Sequence, residues 1–147
     1  MKIISSAFQN NSKIPSKYTC DGANINPSLS FSDVPQNTKS LVLIMDDPDA
    51  LSKVWIHWVV YNINSKIQKI EENSVPQGGI EGMTDFGKPG YGGPCPPSGV
   101  HRYFFKLYAV NKVLSLTSSA GKQAVEEAMK DNILDKAEII GLYSKKQ

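Results

Sequence analysis

The sequence predicts a mainly β protein: an antiparallel β-sandwich with a large central sheet and one or two peripheral helices, in a single domain over residues 1–147. Three observations predict it. Short runs of β-branched and aromatic residues recur between turns rich in Gly and Pro. Three of those runs, SLVLIM at 40–45, VWIHWVVYNI at 54–63 and HRYFFKLYAVN at 101–111, are apolar enough for core strands. Only residues 117–131 show helical spacing, and one late helix is too isolated for alternating βαβ units.

The elements follow in order. Residues 1–8 read as a short edge strand. Residues 14–19 (IPSKYT) are extended and end at the turn Cys20-Asp21-Gly22. In PSLSF at 27–31, Leu29 and Phe31 alternate with Ser28 and Ser30, the pattern of a half-buried strand. DVPQN at 33–37 is a turn. The run at 40–45 suits a strand covered on both faces, and it stops abruptly at Asp46-Asp47-Pro48-Asp49. Residues 54–63 form the second core strand. Residues 67–82 are polar with Pro and Gly and read as loop. Residues 101–111 are the third core strand. The helix at 117–131 takes Thr117 or Ser118 as its cap, places Val125, Ala128 and Met129 on one side, and pairs Glu126 with Lys130. AEIIGLY at 137–143 closes the chain as a strand.

Composition narrows the function. Charged residues make up 20% of the chain and the net charge is +2, with Lys and Arg scattered. A nucleic-acid partner needs a clustered basic face, so none is expected. No apolar run approaches the ~20 residues of a membrane span, and no stable membrane insertion is expected. The start, MKIISSAFQNN, lacks the apolar stretch of a signal peptide, which points to a cytoplasmic protein. Cys20 and Cys95 are then expected as free thiols. Both sit among turn formers, so a bridge at one rim is the alternative. Their spacing to the histidines is not that of a zinc finger.

One loop stands out. From Gly87 to Gly99, nine of thirteen residues are Gly or Pro. Such a loop is neither helix nor strand, yet stiffer than a Gly/Ser linker. It feeds directly into the strand that opens with His101. The chain has two histidines, His57 and His101, both on core strands. Alternation puts Trp55, His57, Val59 and Tyr61 on one face, and His101, Tyr103, Phe105 and Leu107 on one face. Asp47 ends the strand of Leu41, Leu43 and Met45. Three strands thus deliver Asp47, His57, and the pair His101 and Tyr103 near one end, beside the rigid loop. Imidazoles, a phenol and Gly-rich N–H groups are mostly donors, and clustered donors favour an anion such as phosphate or carboxylate. Asp47 is placed to orient an imidazole and raise its pKa. Two His and one carboxylate also match a facial metal triad, but the phenol and the Gly-rich wall suit an anion better, and no metal or cofactor is expected. Neither a Gly-x-Ser-x-Gly elbow nor a His-Glu-x-x-His helix is present.

The motifs DDPDA at 46–50, WIHW at 55–58 and GKPGYGGPCPPSGVHRYFFKLYA at 87–109, with YTCDG at 18–22 and NPSLSF at 26–31, resemble the bacterial and archaeal branch of the phosphatidylethanolamine-binding proteins, also called Raf kinase inhibitor proteins. The resemblance runs over nearly the whole chain and implies a β-sandwich with a small anion pocket. It assigns the pocket Asp to Asp47, the pocket histidines to His57 and His101, the pocket tyrosine to Tyr103, and the loop wall to the Gly93 backbone and the Pro94 ring. Leu51 replaces the second Pro of the family's Asp-Pro-Asp-Ala-Pro, which speaks against a cis-Pro turn there. The segment from Ala50 to Trp55 is short, and the C-terminal helix of eukaryotic members is not expected. The pocket should then be open, or covered by a second subunit in a homodimer with Phe86 and Tyr91 at the interface. The expected function is that of a small cytosolic binding protein for a phosphate- or carboxylate-bearing ligand, free or on a phosphorylated protein. The alternatives are a kinase or protease inhibitor acting through its surface, and a hydrolase using His57 or His101 as acid/base.

Overall fold

Eight consecutive buried residues, Ser40–Asp47, form the strand against which the rest is laid. In the computed structural model, which describes residues 1–146, this strand is β4. The others are β1 (Lys2–Ile4), β2 (Ser12–Lys13), β3 (Leu29–Ser32), β5 (Trp55–Asn64), β6 (Lys69–Ile70), β7 (Ile80–Glu81), β8 (His101–Val110) and β9 (Ile133–Tyr143), with one helix, α1 (Lys122–Met129). A six-stranded sheet runs β2-β9-β8-β4-β5-β7, and a three-stranded sheet runs β1-β3-β6. All pairings are antiparallel except β2 with β9, so the large sheet is mixed by one short parallel pair.

Alternation along β4 divides the interior in two. Leu41, Leu43 and Met45 face the small sheet and pack with Trp58, Phe105, Leu107, Leu29 and Ile70. Val42 and Ile44 face the other way, onto Val59, Tyr61 and the α1 residues Val125 and Met129. Each of these fully buried aliphatic side chains contributes about 1.5–3 kcal/mol through loss of water contact. The continuous apolar run is therefore that of a strand covered on both faces.

Strand β5 breaks the expected alternation. Met45 pairs with Trp58 and Asp46 with Ile56, leaving His57 as an extra residue, a β-bulge. A second register shift lies opposite Leu41 and Leu43, where Asn62 takes a positive φ of 57°. Its side chain bonds both ways with the Leu114 backbone, at 2.9 and 2.8 Å. Because of the bulges, Val59 and Tyr61 lie on the α1 side, whereas Trp58 and Val60 join the sandwich core. They do not share a face with His57, as simple alternation would have them.

Other boundaries also move. The helix is confined to Lys122–Met129, with Gly121 as N-cap and no side-chain cap. Residues 117–120 form a turn because their carbonyls are already taken: Thr117 O accepts from Ala120 N and the Tyr61 hydroxyl, and Ala120 O from Met83 N. Residues 67–82 hold two short strands, β6 and β7, formed by backbone pairing with β3 and β5. The closing strand begins at Ile133, four residues early, because Asp135 and Lys136 continue the ladder with β8 despite their polarity. Cys20 and Cys95 are joined in a disulfide, not free. No cis peptide bond occurs among the described residues, and no helix there is long and apolar enough to cross a membrane.

Candidate functional site

β4 runs antiparallel to both of its neighbours, so its end lies beside the starts of β5 and β8. That junction holds a cavity of about 290 Å³ lined by Asp47, His57, His101 and Tyr103. Each strand delivers its group for a local reason. Asp47 lies two residues beyond Met45, on the same face. His101 and Tyr103 lie on alternate positions of an unbroken part of β8. His57 reaches that face through the bulge.

The two rings are held differently. His101 Nδ1–H donates to Asp47 Oδ2 at 2.6 Å, and both groups are buried. Asp47 Oδ1 accepts from the Asp49 amide at 2.8 Å, which closes the Asp-Pro-Asp turn. Asp49 then grips the Arg102 backbone and guanidinium, and this pair holds the Asp49 carboxyl below its usual pKa. His57 Nδ1 lies 2.6 Å from Gly92 O, and a carbonyl can only accept, so Nδ1 carries the proton. Burial pushes the His57 pKa below its usual 6.5, against the opposing pull of the Gly92 carbonyl and the carboxylates of Asp47, Asp46 and Asp85. The expected Asp47–imidazole contact thus falls on His101 and not on His57. On both rings Nε2 is the nitrogen left for a ligand.

Tyr103 is the third wall. Its ring lies 5.2 Å from His57, edge-on, and 6.4 Å from His101, nearly parallel. Its hydroxyl is buried and has no hydrogen-bond partner. Burial first, and the nearby Asp47 carboxylate second, push the phenol well above its usual pKa. Asp47 is close enough to act on the phenol. Among the described residues no three acidic, His or Cys side chains converge as metal ligands.

The loop wall differs from the sequence expectation. Gly93 and Pro94 do not line the cavity; Cys95, Pro96 and Pro97 do. Gly93 turns away, donating to Asn24 Oδ1 at 2.8 Å, and any Cβ there would collide with the Tyr18 carbonyl. Pro94 O accepts from Cys20 N. Tyr91 is also drawn inward, its hydroxyl on Tyr18 O and its ring edge-on to Trp58, so it is not an exposed rim residue. Sequence reasoning missed Trp55 and the inner role of Phe86, which stand edge to face at 5.9 Å and complete the apolar side. Trp55 was recoverable, two residues before His57 at a strand start. Phe86, 5.3 Å from His57, carried no local signal. Leu51 lies at the cavity and is 93% exposed.

Comparisons with known proteins agree on one family. The phosphatidylethanolamine-binding protein model matches residues 4–144. A protein named UPF0098 from Methanothermobacter thermautotrophicus is 53% identical over 97% of this chain and 98% of its own length. A crystal structure described as a homolog of phosphatidylethanolamine-binding protein from Chlamydia trachomatis is 41% identical, with a TM-score of 0.95, covering 99% of this chain and 97% of that one. Escherichia coli YbcL, described as a member of the mammalian family, is 30% identical with a TM-score of 0.92, covering 99% and 98%. With fold, motif order and relatives in agreement, this chain belongs to the phosphatidylethanolamine-binding protein family.

Proposed function

We propose that this chain is a small binding protein whose cavity takes the anionic group of a phosphate- or carboxylate-bearing ligand, through His57, His101 and Tyr103. The observation that carries the reading is the Tyr103 hydroxyl, buried at the cavity without a partner. A native fold rarely leaves a buried donor unpaired, and a ligand oxygen would satisfy it. His57 adds a condition. In its neutral form Nε2 is an acceptor, so the ligand must bring a proton, as a phosphate monoester does below its second pKa of about 6, or the ring must take one from solvent. Binding is preferred to hydrolysis because, among the described residues, neither ring is hydrogen-bonded to a hydroxyl or thiol nucleophile.

The test is calorimetric titration with inorganic phosphate for wild type and Tyr103→Phe. The reading expects about a tenfold weaker affinity for the variant, with its fold intact, for the loss of one hydrogen bond to a charged group. Equal affinities would remove its main support.

A second reading draws on the mouth of the cavity, where Leu51 and Phe86 are exposed; Val100, which precedes His101 in the chain, is exposed as well. Exposed apolar rims mark contact with another protein, as in a homodimer or in inhibition of a kinase or protease. Light scattering at high micromolar concentration tests the dimer, and a monomer there would count against it. A cytosolic site of action is opposed by the Cys20–Cys95 bridge, because reducing compartments keep most thiols free. Alkylation of free thiols in unbroken cells decides that point.

A further inference from the structure

The Gly/Pro loop has two halves held by different means. In the first half, Tyr91 bonds Tyr18 O at 2.7 Å, Gly92 and His57 exchange bonds at 3.0 and 2.6 Å, Gly93 bonds Asn24, and Pro94 O receives Cys20 N at 3.1 Å. In the second half, residues 95–100, no backbone–backbone hydrogen bond is made among the described residues. Pro96 and Pro97 have no N–H to offer. Yet this second half supplies the cavity wall, through Cys95, Pro96 and Pro97. Between Pro94 and the start of β8 its covalent tie to the body is the Cys95–Cys20 disulfide, beside the burial of Pro96 and the approach of the Cys95 backbone to Tyr103.

The other end of that tie is firm. Cys20 follows the buried Thr19, whose hydroxyl bonds Ser16 O, and Asp21 is held by the Tyr143 hydroxyl and the Lys146 amide. Both cysteines are exposed to solvent. A disulfide that thiolates can reach is the kind that exchanges, whereas buried ones are inert.

We propose that the Cys20–Cys95 bridge is a redox latch on the cavity: opening it by thiol–disulfide exchange frees residues 95–100 and weakens anion binding. The regulation rests on the anion-site reading above. In the exchange, a thiolate of a dithiol reductant attacks one sulfur and the Cys20–Cys95 bond breaks. The other cysteine leaves as a thiolate and takes up a proton. The reductant's second thiol then resolves the mixed disulfide. The protein gains two electrons and two protons, and the dithiol becomes a disulfide. With the bond open, the wall samples detached positions, water enters the cavity, and apparent affinity falls by the fraction of time the wall is in place. His101, which directly follows the freed segment, is the group first exposed.

The experiment compares oxidised protein with protein reduced by dithiothreitol and desalted under nitrogen. Sulfate affinity is measured by calorimetry and backbone amide exchange by mass spectrometry. A Cys20→Ser/Cys95→Ser variant is carried through both treatments. The latch predicts about tenfold weaker sulfate binding after reduction, for a wall in place roughly a tenth of the time. It predicts faster exchange at the start of β8, residues 101–103, whose amides are held by β9 and Asp49, with the exchange of β4 and of residues 91–93 unchanged. The variant should behave as the reduced protein under both treatments. Unchanged exchange at 101–103 overturns the latch, and so does faster exchange with unaltered sulfate affinity. Loss of protection throughout β4 overturns it as well, since the bridge would then hold the whole fold. If oxidised protein binds no sulfate, the anion-site reading falls, and the exchange data alone uphold or overturn the latch.

Discussion

His57 and His101 reach one cavity by different routes. His101 sits on a regular stretch of β8, and its partner is a side chain, the buried Asp47 carboxylate. His57 sits at a bulge in β5, and its partner is the Gly92 carbonyl of the Gly/Pro loop. The first arrangement ties a strand end to the Asp-Pro-Asp turn. The second ties a strand to the loop and leaves the ring dry, with its pKa lowered. Two imidazoles that look equivalent in the sequence therefore have separate tasks: one is oriented by a charge, the other is kept neutral until a ligand or an acid solution protonates it.

The largest expected effect comes from removing the charged partner. Asp47→Ala should cost about 3 kcal/mol of stability, because it strands a buried His101 N–H and the Asp49 amide. Urea unfolding at pH 7 measures it, and a loss under 1 kcal/mol would show that His101 does not depend on the carboxylate.

The next effect belongs to His57. Its folded pKa lies below the unfolded value, so the unfolded chain takes up the proton first as pH falls. Its contribution is complete above pH 6.5 and drains away between 6.5 and the folded pKa, by up to about 1.4 kcal/mol per pH unit. Urea midpoints between pH 7.5 and 5 should fall less steeply in His57→Gln than in wild type. Parallel slopes would place the proton elsewhere.

Tyr103→Phe acts on the group between the two rings. Deleting an unpaired buried hydroxyl should stabilise the free protein, by about 1 kcal/mol, while weakening anion binding. Destabilisation would mean that the hydroxyl already has a partner. The smallest effect is expected from Arg102→Gln. Its pair with Asp49 is solvent-exposed, so the urea midpoint should stay within error, although the Asp49–Arg102 backbone bond remains to hold the turn. A clear midpoint shift would show that the ion pair orients Asp47.

These differences explain what could be read in the sequence. β8 was legible because its alternation is unbroken, so His101, Tyr103, Phe105 and Leu107 fell on one face from spacing alone. β4 was legible because eight buried positions leave a continuous apolar signature. β5 was legible as a strand but not as a surface, since two bulges reverse which residues face the core and a bulge has no residue-type signature. The two-residue strands β6 and β7 exist through backbone pairing, which leaves no side-chain pattern. The family resemblance assigns Gly93 and Pro94 to the wall. The physics that turns them away lies in Asn24 and Tyr18, about seventy residues earlier in the chain. The disulfide was open to either reading, because turn residues around two cysteines do not fix whether their Cα atoms meet.

The most direct test of the anion site is a calorimetric sulfate titration from pH 5 to 8, on wild type and His57→Gln. Sulfate brings no proton, so His57 must take one from solution. Wild-type affinity should rise as pH falls, by up to about tenfold per unit, and level off below the ring's own lowered pKa. Inorganic phosphate, which carries a proton, should show a shallower profile, and His57→Gln should show a shallower profile with sulfate than wild type does. A flat wild-type profile, or a slope undiminished in His57→Gln, would contradict the account.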